Sequence, residues 1–535
     1  MDTNQAPPRV GINEYASNLP LVEGVQRYAA GWAEERLRRV GELVGSGEMK
    51  QSADAAHANP PVLHTHDRYG NRIDEVTYHP GYHEVIRRAV ADGAHAISWR
   101  EPRPGAQVAR AAVFGLYSQA EPGHGCPISM THAAVPALRA TPELAAEWEP
   151  RMTSLEYDGR LGPDKPGVLF GMGMTERQGG SDVRANTTRA TPDGEGYRLD
   201  GHKWFCSAPM SDGFLVLAQG PEGLSCFLVP RVLPDGGRNP FEIQRLKDKL
   251  GNRSNASSEV EFHGTWARLV GEAGRGVPTI IEMVNHTRLD CVIGTAAGMR
   301  QAVSEALWHA AHRSAFGKRL VEQPLMTNVL ADLCLESEAA TLTALRLAAS
   351  YDTDASDDER LFKRLATAVM KYWVCKRGPG HAFEALECLG GNGYCENFPL
   401  ARLYREAPLL SIWEGSGNVI CLDVLRGIAR TPRTLEVLLA EVELAAGASA
   451  VFDGFLARLR VAMADLSDVE WRARRLTEML ALALQGSLML RYAPAAAAEA
   501  FCASRLTPDG GHQYGTLPAS VDAAAITTRH APYPG

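Results

Sequence analysis

The 535-residue sequence lacks several features that would assign a chain to a class at once. No uninterrupted apolar run approaches the roughly 20 residues that a membrane span needs, and the first 20 residues have neither the basic nor the apolar segment of a secretory signal. The ten cysteines include no CxxC pair, which favours reduced thiols. A net charge of −8 argues against a protein whose whole surface binds nucleic acid or an anionic membrane. We therefore expect a soluble, cytoplasmic, multidomain protein.

The signatures of nicotinamide and P-loop nucleotide sites are missing as well. The segments GMGMTE (171–176) and GNGYCE (391–396) both carry Glu where the third glycine of GxGxxG should stand. The phosphate-binding pattern GxxxxGK[ST] does not occur. A Rossmann nicotinamide enzyme is therefore disfavoured.

Two sets of side chains have spacings that a metal site could use. They are His64, His66 and Asp67 in one segment, and Glu305, His309 and His312 at helical spacing. Each set lacks a convincing further ligand nearby, and surface or capping roles are commoner for such residues. We expect no metal at either set.

The hydrophobic pattern divides the chain into four regions. Residues 1–170 are mostly helical, with helices predicted at 82–99 and 107–118, an interruption at 60–66 and a loop at 122–127. Residues 171–276 form short β-rich runs separated by turn signals, which indicates a small barrel or sandwich. Long helices return at 277–430, including 324–351, 359–377 and 419–430, and an Ala/Leu/Arg-rich helical extension fills 431–535 with a loosely ordered end over its last 28 residues.

Five ordered segments carry most of the chemical information. They are TERQGGSD (175–182), GHKWFCS (201–207), the FGKRL run at 316–320 that continues to Gln323, LECLGGNGYCENFPLARLYREA (386–407) and SIWEGSGN (411–418). Together they resemble the acyl-CoA dehydrogenase superfamily, whose members carry a TExxxGSD loop, a GxKxx(I)(T/S) strand, an FGxxL segment, a GGxG(Y/F) loop and a late EG(T/S) element. Chance matching of glycine-rich turns does not account for five matches in order.

Within that superfamily the chain is similar to the AidB-like subgroup of alkylation-response flavoproteins. The similarity is carried by residues 171–190, 201–207, 223–237, 245–262 and 411–426, and by the helical region after residue 430. It implies an α+β multidomain fold of the acyl-CoA dehydrogenase type. That fold has an N-terminal helical domain (1–170), a central β-barrel (171–276), a C-terminal four-helix bundle (277–430) and an extra helical domain (431–535).

The resemblance also implies FAD as the cofactor. Residues expected to line the isoalloxazine ring and the pyrophosphate are Met174, Thr175, Ser181, Phe205, Cys206 and Ser207, with Ser207 at the flavin N5 edge. Ile412 and Trp413 are expected near the ring, and Ser416, Gly417 and Asn418 near the adenosine part. In the family Phe316, Gln323, Gly390 and Gly391 reach the FAD of a neighbouring subunit, which implies a homotetramer or at least a dimer.

Glu414 is the candidate catalytic base. Oxidation of an acyl thioester at Cα–Cβ needs a base for a weakly acidic proton, and a carboxylate in a desolvated pocket can serve because burial raises its basicity. The accompanying hydride needs an acceptor that side chains cannot provide and a flavin can. A purely structural role is the alternative for Glu414. Arg288 and Arg426 are candidate pocket residues that could pair with it, or else form surface or interface ion pairs.

Double-stranded DNA is a further partner that the resemblance implies, through a basic C-terminal domain. Here residues 431–535 hold nine arginines, no lysine and eleven acidic residues, so the extension has a net charge of −2. Because phosphate contacts supply most non-specific DNA affinity, this net charge predicts that the extension binds DNA weakly. A clustered face of Arg458, Arg460, Arg472 and Arg475 is the remaining candidate.

The function we predict is that of an FAD-binding, AidB-like protein linked to the DNA alkylation-damage response, with weak or unassigned acyl-CoA dehydrogenase activity. A true acyl-CoA dehydrogenase for branched or long acyl chains is one alternative. A non-catalytic flavoprotein that binds DNA or a fatty acyl group is the other. Reduction of the flavin by substrate would distinguish a true acyl-CoA dehydrogenase from the other two possibilities.

Overall fold

The computed structural model describes residues 4–465, 467–508 and 510–531. The chain folds into two compact units, which are treated separately below. The helical unit comprises Met1–Gly47, Pro102–Gln119 and Arg288–Gly535, and the sheet unit comprises Glu48–Glu101 and Ala120–Thr287. The four-domain division stays a prediction. In the described part of the chain, no helix has both the length and the apolar character that crossing a membrane requires.

The N-terminal region is mainly helical, as predicted, but it contains a strand hairpin at the predicted interruption. The predicted helix at 82–99 is two helices, because the chain turns at Gly93, whose φ is +78°. The predicted loop at 122–127 is wrong in its second half, where a buried helix begins at Gly125. The elements are α1 (Leu19–Arg27), α2 (Glu34–Val44), α3 (Gly47–Ala58), β1 (Val62–His66), β2 (Arg72–Thr77), α4 (Pro80–Ala91), α5 (Ile97–Arg100), α6 (Ala106–Ala120), α7 (Gly125–Leu138) and α8 (Pro142–Met152).

Seven strands form the main sheet, and five of them close into a ring. They are β3 (Phe170–Gly173), β4 (Arg189–Asp193), β5 (Gly196–Ser207), β6 (Gly213–Gly220), β7 (Gly223–Pro230), β8 (Glu242–Leu246) and β9 (Ser257–Val270). The ring runs β6-β4-β5-β9-β7 and closes where β7 pairs antiparallel with β6. Alternating residues of the strands fill its interior, where Phe241 lies 4.7 Å from Phe214 and 5.8 Å from Phe262 between ring centroids. The predicted barrel is confirmed.

Long helices dominate after residue 276. The apolar residues that recur at helical spacing from Leu289 to Ala310 are buried throughout, as a helix packed on several neighbours requires. The elements are α9 (Gly276–His312), β10 (Ser314–Ala315), β11 (Lys318–Arg319), α10 (Pro324–Ala349), α11 (Asp357–Cys388), α12 (Pro399–Glu406) and α13 (Gly417–Arg430).

The C-terminal extension packs on α10 and α11 of the helical unit. Its helices are α14 (Arg433–Glu443), α15 (Ala450–Ala464), α16 (Ala473–Tyr492), α17 (Ala495–Arg505) and α18 (Ala523–His530). The expectation of a loosely ordered C-terminus is wrong for the described residues, because α18 is a helix in which Ile526 is buried. Arg529 bonds Glu338 at 3.0 Å and Glu23 at 2.6 Å, and His530 lies 2.9 Å from Glu338. These ion pairs, which sequence periodicity does not reveal, fix α18 against α10.

Replacing Arg529 with alanine is expected to destabilise the helical unit by about 2 kcal/mol, because the fully buried carboxylate of Glu338 loses its arginine partner. Differential scanning calorimetry measures the change. Arg433→Ala is the control, since Arg433 pairs with Asp358 on the exposed surface and should change the unfolding temperature little. Equal effects of the two substitutions would show that Arg529 contributes no more than a surface pair.

Candidate functional site

Glu414 lies on a short connection between a single helical turn at Leu409–Ser411 and the first residue of α13, Gly417. Its φ is +59°, a left-handed conformation that is uncommon for a residue with a side chain. The next residue, Gly415, has a φ of +108°, and a Cβ there would come within 2.9 Å of Ile420. The backbone therefore turns sharply at the candidate base, and only glycine fits after it.

Two cations hold the carbonyls of this turn. Lys371, buried in the middle of α11, donates from Nζ to the carbonyl of Trp413 at 2.7 Å and to that of Gly415 at 2.5 Å. Arg288 in α9 donates from Nε to the carbonyl of Glu414 at 3.1 Å. Three consecutive carbonyls thus accept hydrogen bonds from charged donors, which are stronger than neutral ones. The half-buried Glu414 is fixed in position by its backbone.

Arg288 was predicted as a possible partner of the Glu414 side chain, and the structure gives it a different contact. Besides the Glu414 carbonyl, it forms an ion pair with Asp423 at 2.7 Å between Nη1 and Oδ2. Burial would raise the pKa of Asp423, but Arg288 and Arg364 lower it, so this carboxylate stays charged. The other predicted pocket residue, Arg426, is exposed on α13. Asp423, which the sequence did not single out, is therefore the residue of α13 that supports the turn.

The predicted adenosine-binding residues follow Glu414 directly. Ser416 and Asn418 are exposed, and Gly417 is buried with Lys376 and Arg474 close to where its Cβ would be, at 3.0 and 3.3 Å. Arg474, on α16 of the extension, donates to the side-chain oxygen of Asn418 at 2.8 Å. Of the two residues expected near the flavin ring, Ile412 is exposed and Trp413 is half-buried. The extension thus contacts the segment that the resemblance assigns to the cofactor, which sequence reasoning did not foresee.

The sheet unit carries the other predicted flavin residues. On β5, Phe205 is half-exposed, at 51%, and Ser207 lies with its hydroxyl 3.2 Å from that of Ser257. Cys206 between them is fully buried, because successive side chains of a strand point to opposite faces. Burial raises the pKa of its thiol to about 12, so its side chain belongs to the barrel interior and only its backbone is available to a cofactor.

The remaining three predicted flavin residues lie on a loop beside β5. Met174 and Thr175 are half-buried and Ser181 is exposed. The loop is tied to β5 where the backbone N–H of Trp204 donates to the carbonyl of Thr175 at 2.8 Å. An exposed aromatic side chain on β5 and the hydroxyls of Thr175 and Ser181 on the adjoining loop fit a planar cofactor with an anionic tail.

A buried ion pair sets the shape of this loop. Lys203 donates from Nζ to Glu176 at 2.7 Å, and both side chains are fully buried. Glu176 also accepts from the backbone N–H groups of Thr187 and Thr188 at 2.6 and 3.1 Å. Burial would raise the pKa of Glu176, but Lys203 and these donors lower it to about 2. The Glu of the TE motif is thus a scaffold for the loop, and its side chain does not face out to a ligand.

The residues that the resemblance expects to reach the FAD of a neighbouring subunit lie at the surface of the helical unit. Phe316 is 99% exposed with a φ of +53°, at the turn between β10 and β11. Gln323 bonds the carbonyl of Ala315 at 2.8 Å and so fixes that turn. Gly390 and Gly391 are exposed, with open space where a Cβ would be.

The four candidate DNA-binding arginines do not share one environment. Arg460 pairs with Glu443 at 2.7 Å on the surface. Arg458, Arg472 and Arg475 instead line a cavity of about 790 Å³ in the extension.

Neither of the two sets with metal-like spacing, at which we expect no metal, is the described group whose ligand atoms lie close together. Glu305 is instead bonded by Arg9 at 3.1 Å. Among the described residues, the group whose ligand atoms do lie within 4.8 Å of one another is Glu242, Glu261 and His263 on β8 and β9. Arg72 is 3.3 Å from Glu242 and already supplies a cation beside this group.

Comparison with known proteins agrees with this arrangement. Residues 4–159 match the N-terminal domain of the adaptive response protein AidB, residues 171–265 the acyl-CoA dehydrogenase middle domain, and residues 274–429 the acyl-CoA dehydrogenase C-terminal domain. The chain is 45% identical over 513 residues to AidB of Escherichia coli (strain K12), covering 95% of this chain and 94% of that one.

Two solved structures extend the comparison. Caenorhabditis elegans ACDH-11 in complex with C11-CoA superposes with a TM-score of 0.87 at 26% identity, over 94% of this chain and 92% of that chain. An acyl-CoA dehydrogenase from Bacillus anthracis complexed with FAD has a TM-score of 0.65 at 17% identity, over 80% and 81% of the two chains, and shows a common fold. This chain therefore belongs to the acyl-CoA dehydrogenase family, in its AidB-like branch.

Proposed function

We propose that this protein binds FAD and uses Glu414 as the base of an acyl-CoA dehydrogenase-type oxidation. The observation that carries the proposal is the fixing of Glu414 through three consecutive carbonyls by Lys371 and Arg288. A general base must be held in one geometry to be effective, and a charged, buried support of this kind is more than a surface carboxylate needs.

The residues of this chain would have separate roles in the proposed reaction. When bound, the flavin supplies the two-electron acceptor that no side chain provides. Phe205 would lie against its ring, and Thr175, Ser181 and Ser207 would donate hydrogen bonds to its oxygens and ring edge. Glu414 would take the Cα proton of the acyl thioester onto its carboxylate.

The test is an anaerobic titration of the purified protein with a panel of acyl-CoAs, followed through the visible band of the oxidised flavin. Stoichiometric bleaching by one chain-length class supports a working dehydrogenase and names its substrate. A band that stays unchanged through the whole panel contradicts the catalytic proposal and favours the non-catalytic, flavin-stabilised alternative.

Replacing Thr175 and Ser181 together with alanine is expected to weaken FAD binding about 30-fold, because two hydrogen bonds of about 1 kcal/mol each are lost. Dialysis followed by flavin fluorescence gives the dissociation constant. Thr191→Ala, on the exposed side of β4, is the matched control and should leave FAD affinity unchanged. Full retention of FAD by the double variant would place the cofactor elsewhere.

Two further roles follow from the resemblance and are part of this proposal. The exposed Phe316 and the glycine pair at 390 and 391 suit a contact between copies of the chain, which supports a homotetramer. The similarity to AidB supports a role in the alkylation response. Duplex DNA as a partner has weaker support, because the extension has a net charge of −2 and Arg460 is paired with Glu443.

A further inference from the structure

The cavity in the C-terminal extension has the size and lining of a small-molecule site. Its volume of about 790 Å³ lies within the range of about 300–1,000 Å³ that is usual for ligand pockets. Its walls come from α10, α11, α15, α16, the end of α17 and the residues 506–508 and 510–514 that come after it. Glu414 and its neighbours are not among the described residues that line it, so it is distinct from the site proposed above.

One part of the wall is apolar. Trp373 on α11 is held in place by a hydrogen bond from Nε1 to Gln485 at 2.9 Å. Phe455 on α15 and Met479 on α16 face the same volume. Rings and a thioether offer favourable contacts to an aliphatic or aromatic body, and a ligand there would remove apolar surface from water.

The other part of the wall is positively charged. Five arginines and three carboxylates line the cavity among the described residues. Two of the arginines, Arg377 and Arg505, are neutralised, since Glu336 lies 2.9 Å from the first and 3.3 Å from the second, and Arg505 also bonds Asp332. Burial, together with nearby Glu387, raises the pKa of the lining residue Glu384, which reduces its tendency to repel an anion.

The carboxylates near Arg472 and Arg475 are farther away than those beside Arg377 and Arg505, and Arg458 and Arg472 are oriented by backbone carbonyls. Arg458 donates to the carbonyl of Leu506 at 2.6 Å, and Arg472 donates to the carbonyls of Asp465 and Ser467 at 2.5 and 3.0 Å. A carbonyl oxygen accepts these bonds without cancelling the charge. The nearest carboxylates are 3.5 Å from Arg472, on Asp465, and 3.8 Å from Arg475, on Glu478.

We propose that this cavity binds a small amphipathic anion, with a carboxylate or phosphate head held by Arg458, Arg472 and Arg475 and an apolar body packed against the aromatic wall. Guanidinium groups match both kinds of oxyanion geometrically. Because these arginines line one recess of about 790 Å³ together with apolar side chains, they suit a single small amphipathic oxyanion.

Isothermal titration of the full-length protein with octanoate, octyl phosphate and octanol tests the proposal. One of the two anions should bind saturably at one site, which identifies the head group, and octanol should bind at least 10-fold more weakly. Arg458→Gln with Arg475→Gln should weaken the anion at least 10-fold. Arg460→Gln, on the same helix but outside the cavity, is the matched control and should bind as the unchanged protein does.

Two further variants keep the result decisive. Met479→Trp should weaken binding by changing the shape of the apolar wall, and Arg458→Lys, which keeps the charge, should bind within a few-fold of the unchanged protein even if the glutamine pair folds poorly. The proposal is overturned if neither anion binds, if octanol binds equally, or if the arginine pair can be replaced without effect. Loss of duplex DNA binding in the arginine variant, with no anion bound by the unchanged protein, would instead assign these arginines to nucleic acid.

Discussion

Replacing Glu414 with glutamine is expected to leave the protein yellow but to abolish its bleaching by acyl-CoA. Glutamine has the same shape and keeps the hydrogen bonds that Lys371 and Arg288 make to the backbone, because those bonds go to carbonyls and not to the side chain. The amide cannot accept the Cα proton, and loss of a positioned base commonly slows a reaction by about 10² to 10⁴-fold. Stopped-flow absorbance of the flavin band measures the rate.

The matched control is Glu396→Gln. Glu396 is exposed and pairs with Arg405 outside the Glu414 turn, so its variant should bleach at the unchanged rate. Flavin content is compared for all three proteins before the titration, which separates loss of the base from loss of the cofactor. Unchanged bleaching by the Glu414 variant would remove this residue as the base and leave it a structural role.

Much of the fold could be predicted because it follows from local pattern. The apolar stripe from Leu289 to Ala310 has the helical period, and the β-rich runs after residue 171 are separated by turns such as Asp193-Gly194, where Gly194 has a φ of +61°. At the candidate base, Gly415 has a φ of +108°, a conformation that suits the glycine that the sequence has at this position. Helix α7 was missed because Pro122 and Pro127, read as loop residues, stand at the start of a helical turn where proline is tolerated.

The features of the structure that the sequence does not predict depend on contacts between residues far apart in the chain. Lys371 and Trp413 are 42 positions apart, and nothing around a lone lysine in a helix shows that it meets that carbonyl. The bond from Arg474 to Asn418 and the ion pair between Arg529 and Glu23 are likewise set by packing. A short helix such as α18 carries too little periodicity to be recognised alone, and its long-range ion pairs stabilise it.

Replacing Lys371 with methionine is expected to slow flavin bleaching by about 100-fold, a prediction that rests on the proposed role of Glu414. The substitution keeps most of the buried aliphatic chain but removes the donor to the carbonyls on both sides of Glu414. A displacement of about 1 Å in a catalytic group can lower a rate by about that factor. The maximal rate should fall more than the apparent affinity for acyl-CoA, because the substitution disturbs the base and not the binding surface.

The flavin content distinguishes positioning from a general loss of structure. If Lys371 acts by holding the carbonyls on either side of Glu414, the methionine variant should keep its FAD while its rate of bleaching falls. Lys363→Met, two turns earlier on α11, is the control and should change neither the rate nor the flavin content. If both variants slowed bleaching equally, Lys371 would be a packing residue of α11, and the carbonyl contacts would have no part in the reaction.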